Sequence, residues 1–137
     1  MKIGITGTRE GMTEDQFDQV WNFLKEKFTE GSEFHHGDCV GVDAETALVA
    51  KEIGYKIVGH PGPNVDGLRA FFESDESRDP MSHFKRNRTI VDSCDFLLVV
   101  PLQDCWQPRG GTWYTHDYAV KTRKPFNVIW PRRNNER

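Results

Sequence analysis

Three short turns carrying glycine, Gly7-Thr8-Arg9, Gly37 to Asp43 and Gly110-Gly111-Thr112, each follow an apolar run of strand length, and two of them open a stretch with helical periodicity. A chain that repeats strand, turn and helix has few folds open to it. Strands joined through helices run parallel, and crossovers of one hand bring the turns after the strands to one edge of the sheet. Helix N-termini at that edge present unpaired N–H groups and the positive end of the helix dipole. An anion, above all a nucleotide phosphate, is the expected occupant.

The elements follow from local pattern. Lys2 to Thr6 reads as the first strand, and residues 13–28 follow with Phe17, Val20, Trp21, Leu24 and Phe28 at helical spacing. Thr13 with Gln16 forms a capping box at the start of this helix, and Gly31 stops it. Residues 33–36 read as a second strand, and residues 42–53 as a helix with Ala44, Ala47 and Ala50 and Gly54 as terminator. Residues 55–59 make a third strand, ended by His60-Pro61-Gly62-Pro63. Residues 64–80, with the Glu73-Ser74-Asp75-Glu76 cluster beside Phe71 and Phe72, read as a loop with one helical turn. A helix over 81–93 is expected to pack Met81, Phe84 and Val91. The apolar strand at 95–100 is expected to be central; a last helix over 112–122 and a strand over 126–130 complete the pattern. The alternation predicts one α/β domain over residues 1–131, with a parallel sheet of about five strands in the doubly wound order 3-2-1-4-5 and a crevice between the first and fourth strands. Residues 132–137 are expected to form a disordered basic tail.

Composition narrows the partners. With 18 basic and 21 acidic residues in 137, no global positive field draws the chain to nucleic acid, which is not an expected partner. The longest apolar run, Phe96 to Val100, is far short of the ~20 residues that span a bilayer, and the N-terminus enters a strand without a signal-peptide pattern. No membrane association and a cytoplasmic location are expected. Cys39, Cys94 and Cys105 share no CxxC spacing and are expected to be free thiols. His35, His36, His60, His83 and His116 show no HxxxH pattern, so neither a metal site nor a cofactor is expected.

Each motif has two accounts. Gly7-Thr8-Arg9 is either a tight turn with a solvated arginine or a phosphate contact in which Arg9 pairs bidentately. Gly4, Gly7 and Gly11 lack the dinucleotide spacing. In the second turn, Gly37 and Gly41 flank Asp38, with Asp43 in the first helical turn; the carboxylates either complement the helix dipole or accept hydrogen bonds from a ribose diol or a base edge. Gly110-Gly111-Thr112 after Arg109 suits a phosphate cradle, whereas a plain N-cap needs only the threonine. Arg86 or Asn87 can face the crevice, with Lys85 and Arg88 solvated. Trp113 and Tyr114 either stack on a base or belong to the core.

Taken in order, Gly7-Thr8-Arg9, His36-Gly37-Asp38 with Gly41-Val42-Asp43, Pro61, Arg86-Asn87 and Gly111-Thr112 resemble the SLOG superfamily, nearest its small stand-alone YspA/YpsA-like branch of bacteria and phages. The resemblance covers nearly the whole chain. It implies a single Rossmann-like three-layer domain with a site for a nucleotide or nucleotide-derived ligand at Gly7, Thr8, Arg9, Gly37, Asp38, Gly41, Asp43, Arg86, Asn87, Gly110, Gly111 and Thr112. The LOG enzymes of this group carry PGGxGTxxE, whose glutamate acts in N-glycosidic cleavage; aligning Gly111-Thr112 with GT places Thr115 at that glutamate. Their hydrolase activity therefore does not carry over. Sensing or sequestration of the ligand is expected first, a nucleoside-phosphate N-glycosidase using Asp38 or Asp43 second, and a DNA-processing accessory role third. Members of the group associate, so a homo-oligomer, dimer or higher, is expected, with Trp106, Trp113 or Phe71-Phe72 at an interface or in the core.

Overall fold

The computed structural model describes residues 1–65 and 67–132, so the expected tail, Arg132 apart, lies outside the described residues. The elements in chain order are β1 (Lys2–Gly7), α1 (Glu14–Lys27), β2 (Glu33–His36), α2 (Val42–Ile53), β3 (Lys56–Gly59), β4 (Glu76–Ser77), α3 (His83–Ser93), β5 (Phe96–Val100), α4 (Gly111–Thr122) and β6 (Phe126–Val128). The strands form one all-parallel sheet in the order β4-β3-β2-β1-β5-β6. The five expected strands stand in the expected order. Among the described residues no helix is long and apolar enough to cross a membrane.

The sixth strand corrects the reading of residues 64–80 as a loop with a helical turn. Glu76 and Ser77 pair with Val58 and Gly59, Asp75 Oδ2 accepts from the Ile57 N–H at 2.7 Å, and Arg78 N–H donates to the Gly59 carbonyl at 2.9 Å. An acidic tetrad has little intrinsic strand preference; what recruits it is the open edge of β3.

Helices α1 and α2 cover one face and α3 and α4 the other, which gives three layers. Strand β5 is apolar throughout because both its faces are buried: Leu98 and Val100 enter the core with Ile3, Ile5 and Phe34, while Leu97 and Val99 pack with Ile90, Val91 and Ala119. It lies between β1 and β6, one strand in from the edge rather than at the middle. The capping box forms as expected, with Gln16 N–H donating to Thr13 Oγ1 at 3.1 Å and Thr13 N–H to Gln16 Oε1 at 3.0 Å. Gln16 also ties α1 to the sheet, since its Nε2 donates to the carbonyls of Pro101 and Ile129 at 2.8 and 2.9 Å. Helix α3 departs from expectation in the face it buries. Its inward positions are Arg86, Ile90 and Val91; Phe84 is 57% exposed and rests on Tyr114, ring centroids 4.4 Å apart.

From β1 the chain crosses first to β2 and only later returns to β1's other side as β5. Between β1 and β5 the direction of winding reverses, and connections leave the two strands on opposite sides of a gap.

Candidate functional site

That gap is a cleft of about 470 Å³ at the carboxyl ends of β1 and β5. The end of β1 and its turn supply Gly7, Thr8 and Arg9; α2 supplies Asp43; α3 supplies Arg86 and Asn87; and the start of α4 supplies Gly110, Gly111 and Thr112. Gly37, Asp38 and Gly41 do not line it.

The second turn is glycine-rich for the fold's sake. Gly41 has φ +86°, and a Cβ there would stand 2.4 Å from the Arg9 carbonyl oxygen, so neither the conformation nor the space admits a side chain. A Cβ on Gly37 would lie 2.8 Å from Arg86 Nη1 and 2.9 Å from Asp43 Oδ2. Gly7, which does line the cleft, meets the same demand: its Cβ would stand 2.4 Å from Val42 Cγ1, so glycine lets β1 close on the start of α2.

Asp38 stands apart from the other expected site residues. Its backbone is left-handed, φ +56°, and its buried carboxylate turns from the cleft, accepting from Arg69 Nε and from the Phe72 N–H, each at 2.8 Å. Its carbonyl accepts from the Ala70 N–H at 2.8 Å, and its own N–H donates to His36 Nδ1 at 2.9 Å. Asp38 thus fastens the segment around residues 69–72 over the second turn. It does not line the cleft.

Asp43 faces the cleft from the first turn of α2 and accepts from the Gly37 N–H through Oδ2 at 2.8 Å. Burial pushes its carboxyl up to about 6, against the opposing pull of Arg86 and of the Gly37 and Cys39 N–H groups. Arg86 lines the cleft while only 4% exposed, and Asn87 beside it reaches the corner next to Gly111. Arg9 and Arg109 stand exposed at the rim, and among the described residues neither has an ion-pair partner. Neither α3 nor α4 has a side-chain cap at its N-terminus; Gly110, at φ +105°, takes the cap position of α4. Two uncapped helix starts and two unpaired guanidinium groups therefore converge on one cavity.

Other residues settle between their two accounts. Thr115 borders the cleft, but its hydroxyl donates to the Gly111 carbonyl of its own helix at 2.7 Å. Trp113 is buried, packed on Trp130 with its indole N–H donating to Gln103 Oε1, and it also borders the cleft. Arg88 donates to the Tyr114 hydroxyl at 2.7 Å instead of standing free. Glu10, His83, Phe84, Gln103 and Arg109 also line the cleft, and all but Gln103 adjoin or nearly adjoin an expected site residue in sequence. Sequence reading missed a buried histidine cluster: His35 Nδ1 lies 2.8 Å from His60 Nε2, His35 Nε2 lies 2.9 Å from Glu33 Oε1, and His36 Nε2 lies 2.9 Å from Ser74 Oγ. Imidazoles scattered over β2 and the end of β3 have no fixed sequence spacing; only the parallel pairing of these strands brings them together.

No protein-family model and no curated protein matches the chain. Solved structures do. The molybdenum cofactor binding protein from the phototrophic bacterium Rippkaea orientalis is similar with a TM-score of 0.69 and 21% identity over 93% of this chain and 74% of that one. The Moco carrier protein from Chlamydomonas reinhardtii gives 0.62 and 25% identity over 93% and 75%. DNA processing protein A from Helicobacter pylori gives 0.66 and 20% identity over 98% and 67%. At these identities the likeness is one of fold: the chain shares with these proteins a Rossmann-like domain built on an all-parallel sheet.

Proposed function

We propose that the chain binds a nucleotide or nucleotide-derived small molecule in the cleft between β1 and β5, as a cytoplasmic sensing or sequestering protein, with a phosphate at Gly110, Gly111 and Thr112. The observation that carries this reading is the convergence of two uncapped helix starts with Arg9 and Arg109 on a 470 Å³ cavity. Charge agrees: Arg9, Arg86 and Arg109 line the cleft against Glu10 and Asp43. Two of the similar structures are proteins described as binding or carrying the molybdenum cofactor, which supports a small-molecule cargo as a general use of this fold.

Thermal denaturation against a panel of nucleoside mono-, di-, tri- and cyclic phosphates and NAD derivatives tests it. A ligand bound only by the folded state adds RT ln(1 + [L]/Kd), about 2.7 kcal/mol at a hundredfold excess over Kd. No shift across the panel overturns the reading. Gly111→Val is expected to abolish the shift and keep the fold, because a Cβ there meets only Asn87 Nδ2, at 3.7 Å, and projects into the cleft.

A second reading, a nucleoside-phosphate N-glycosidase, draws on one observation. Asp43 is a buried carboxyl in the cleft with its pKa lifted to about 6, suited to giving or taking a proton near neutrality. Release of free base from nucleoside monophosphates, abolished by Asp43→Asn, is its expected signature; binding without release excludes it. The expected homo-oligomer has exposed aromatics left to it in Trp106 and Phe71, because Trp113 and Phe72 are taken up in packing on the core. Light scattering on the eluted peak of a sizing column reads the oligomeric state.

A further inference from the structure

Arg86 is 4% exposed, and every nitrogen of its guanidinium already meets the protein. Nη1 donates to the carbonyls of Gly37 and His60 at 2.5 and 3.2 Å, Nη2 lies 3.4 Å from His83 Nδ1 and 3.6 Å from Cys39 Sγ, and Nε donates to Asn87 Oδ1 at 2.7 Å. A fork so occupied has no free face for a bidentate pair with phosphate. What it controls is its neighbour. A guanidinium N–H can only donate, so the 2.7 Å contact requires the oxygen of the Asn87 amide to face Arg86 and sends Nδ2 the other way. Nδ2 lies 3.7 Å from where a Cβ on Gly111 would stand, and among the described residues it meets no acceptor.

We propose that Arg86 is a positioning residue that locks the Asn87 amide with its two N–H donors toward the cleft, and that Asn87 selects a phosphoryl oxygen at the Gly111 corner. The inference rests on the nucleotide reading and deepens it by naming the side chain that reads the phosphate at this corner and the residue that orients it. An amide free to turn can offer its oxygen to a base N–H or a hydroxyl as readily as its nitrogen to an acceptor. Held by Arg86, it offers donors only, which suits an anionic group that only accepts.

Asn87→Asp is the decisive variant because it keeps the shape and reverses the polarity. One carboxylate oxygen still accepts from Arg86 Nε; the other replaces Nδ2 and faces the phosphate. The ligand-free melting temperature is expected to hold or rise, while affinity for inorganic pyrophosphate, and for whichever nucleotide of the panel stabilises the wild type, falls roughly tenfold to a hundredfold. Side-chain amide resonances give a reading on the unaltered protein: the NH₂ pair that is missing from Asn87→Asp is expected to move when pyrophosphate is added to the wild type. A purely structural asparagine shows neither effect. If Asn87→Asp binds the nucleotide as tightly as the wild type, or the Asn87 NH₂ pair of the wild type stays still on pyrophosphate addition, the inference falls and the nucleotide reading stands. If the wild type binds nothing on the panel, both fall.

Discussion

The two halves of the sheet's carboxyl edge carry similar glycine turns and treat their polar groups in opposite ways. On the β2 side, Asp38 is paired with Arg69 and the Phe72 N–H, His36 with Ser74, and Arg86 with the carbonyls of Gly37 and His60. Both α2 and α4 begin at a glycine without a side-chain cap, but on the β5 side Arg109 and, across the cleft, Arg9 have no ionic partner among the described residues. Buried polar groups must be satisfied within the protein, whereas groups left open at a cleft can be satisfied by a ligand. The contrast makes the β2 half the more closely paired of the two and, on the proposed function, leaves the β5 half as the receiving surface, although both read alike as glycine turns after strands.

A matched pair of glycines gives the largest test of that contrast. Gly41 and Gly110 both have positive φ, +86° and +105°, so alanine strains the backbone at either. Only Gly41 is also enclosed, with the Arg9 carbonyl 2.4 Å from a Cβ, while nothing lies within 4 Å of a Cβ on Gly110. Gly41→Ala is expected to cost about 3–5 kcal/mol in urea unfolding, strain plus overpacking, and Gly110→Ala about 1–2 kcal/mol from strain alone. Equal losses would break the distinction between a packed turn and an open one.

Acid should attack the scaffold half first. Burial lowers His36 from 6.5 to about 4 and His60 from 6.5 to about 3, and it lowers His35 as well. For His60 the burial is unrelieved, since its Nδ1 has no partner. Below pH 6.5 the unfolded chain takes up protons that the folded one refuses, so stability falls as pH drops from 6.5 toward 4 and below. Asp43 acts in the other direction. Its carboxyl, raised from 3.8 to about 6, is protonated first in the folded state, which favours folding as pH falls through that window. His36 and His60 outweigh it, each contributing on the order of 3 kcal/mol. Urea midpoints at pH 7 and pH 4.5 measure the fall, and His36→Gln should reduce it; a flat profile would mean that these imidazoles are not held neutral.

Asp38→Ala sharpens the comparison at a single carboxylate. It removes the acceptor of the Phe72 N–H and of Arg69 Nε and leaves alanine at φ +56°, so a loss of about 2 kcal/mol is expected with ligand affinity within a factor of two. Loss of binding with unchanged stability would return Asp38 to the site.

Asp38 and Asp43 also show what can be read from sequence. The strand order and the first helix's cap were legible because periodicity and capping are local properties of a few neighbouring residues. The roles of two carboxylates five positions apart were not, because each is decided by a distant partner: Arg69 and Phe72 for Asp38, Arg86 and the Gly37 N–H for Asp43. Strand β4 was hidden for a related reason, since Glu76 and Ser77 are extended only because β3 has an edge to complete. Phe84 was misplaced because helical spacing names a stripe without saying which side meets the sheet, and on α3 the inward side begins with Arg86. The convergence of Gly7, Arg9, Asn87 and Gly111 was legible, because a doubly wound sheet sends the turns after its strands to one edge.

The smallest expected effect lies on the open half. Arg109 is exposed at the cleft rim with no ionic partner among the described residues, so Arg109→Gln removes charge without breaking a contact, and stability should change by no more than about 0.5 kcal/mol. Affinity for a nucleotide should fall about threefold to tenfold at low salt, the scale of one solvent-exposed charge pair. The loss should shrink at 0.5 M salt, where screening acts within a few ångströms. Salt dependence separates two pictures of the β5 half. A small, screened loss means that Arg109 draws the phosphate toward an open cleft and stays in water. A loss that exceeds a hundredfold and ignores salt means that Arg109 is desolvated against the ligand, so that the loop from Leu102 to Gly110 folds over it and the open half becomes, once loaded, as closely paired as Asp38 and Arg86 are on the scaffold half.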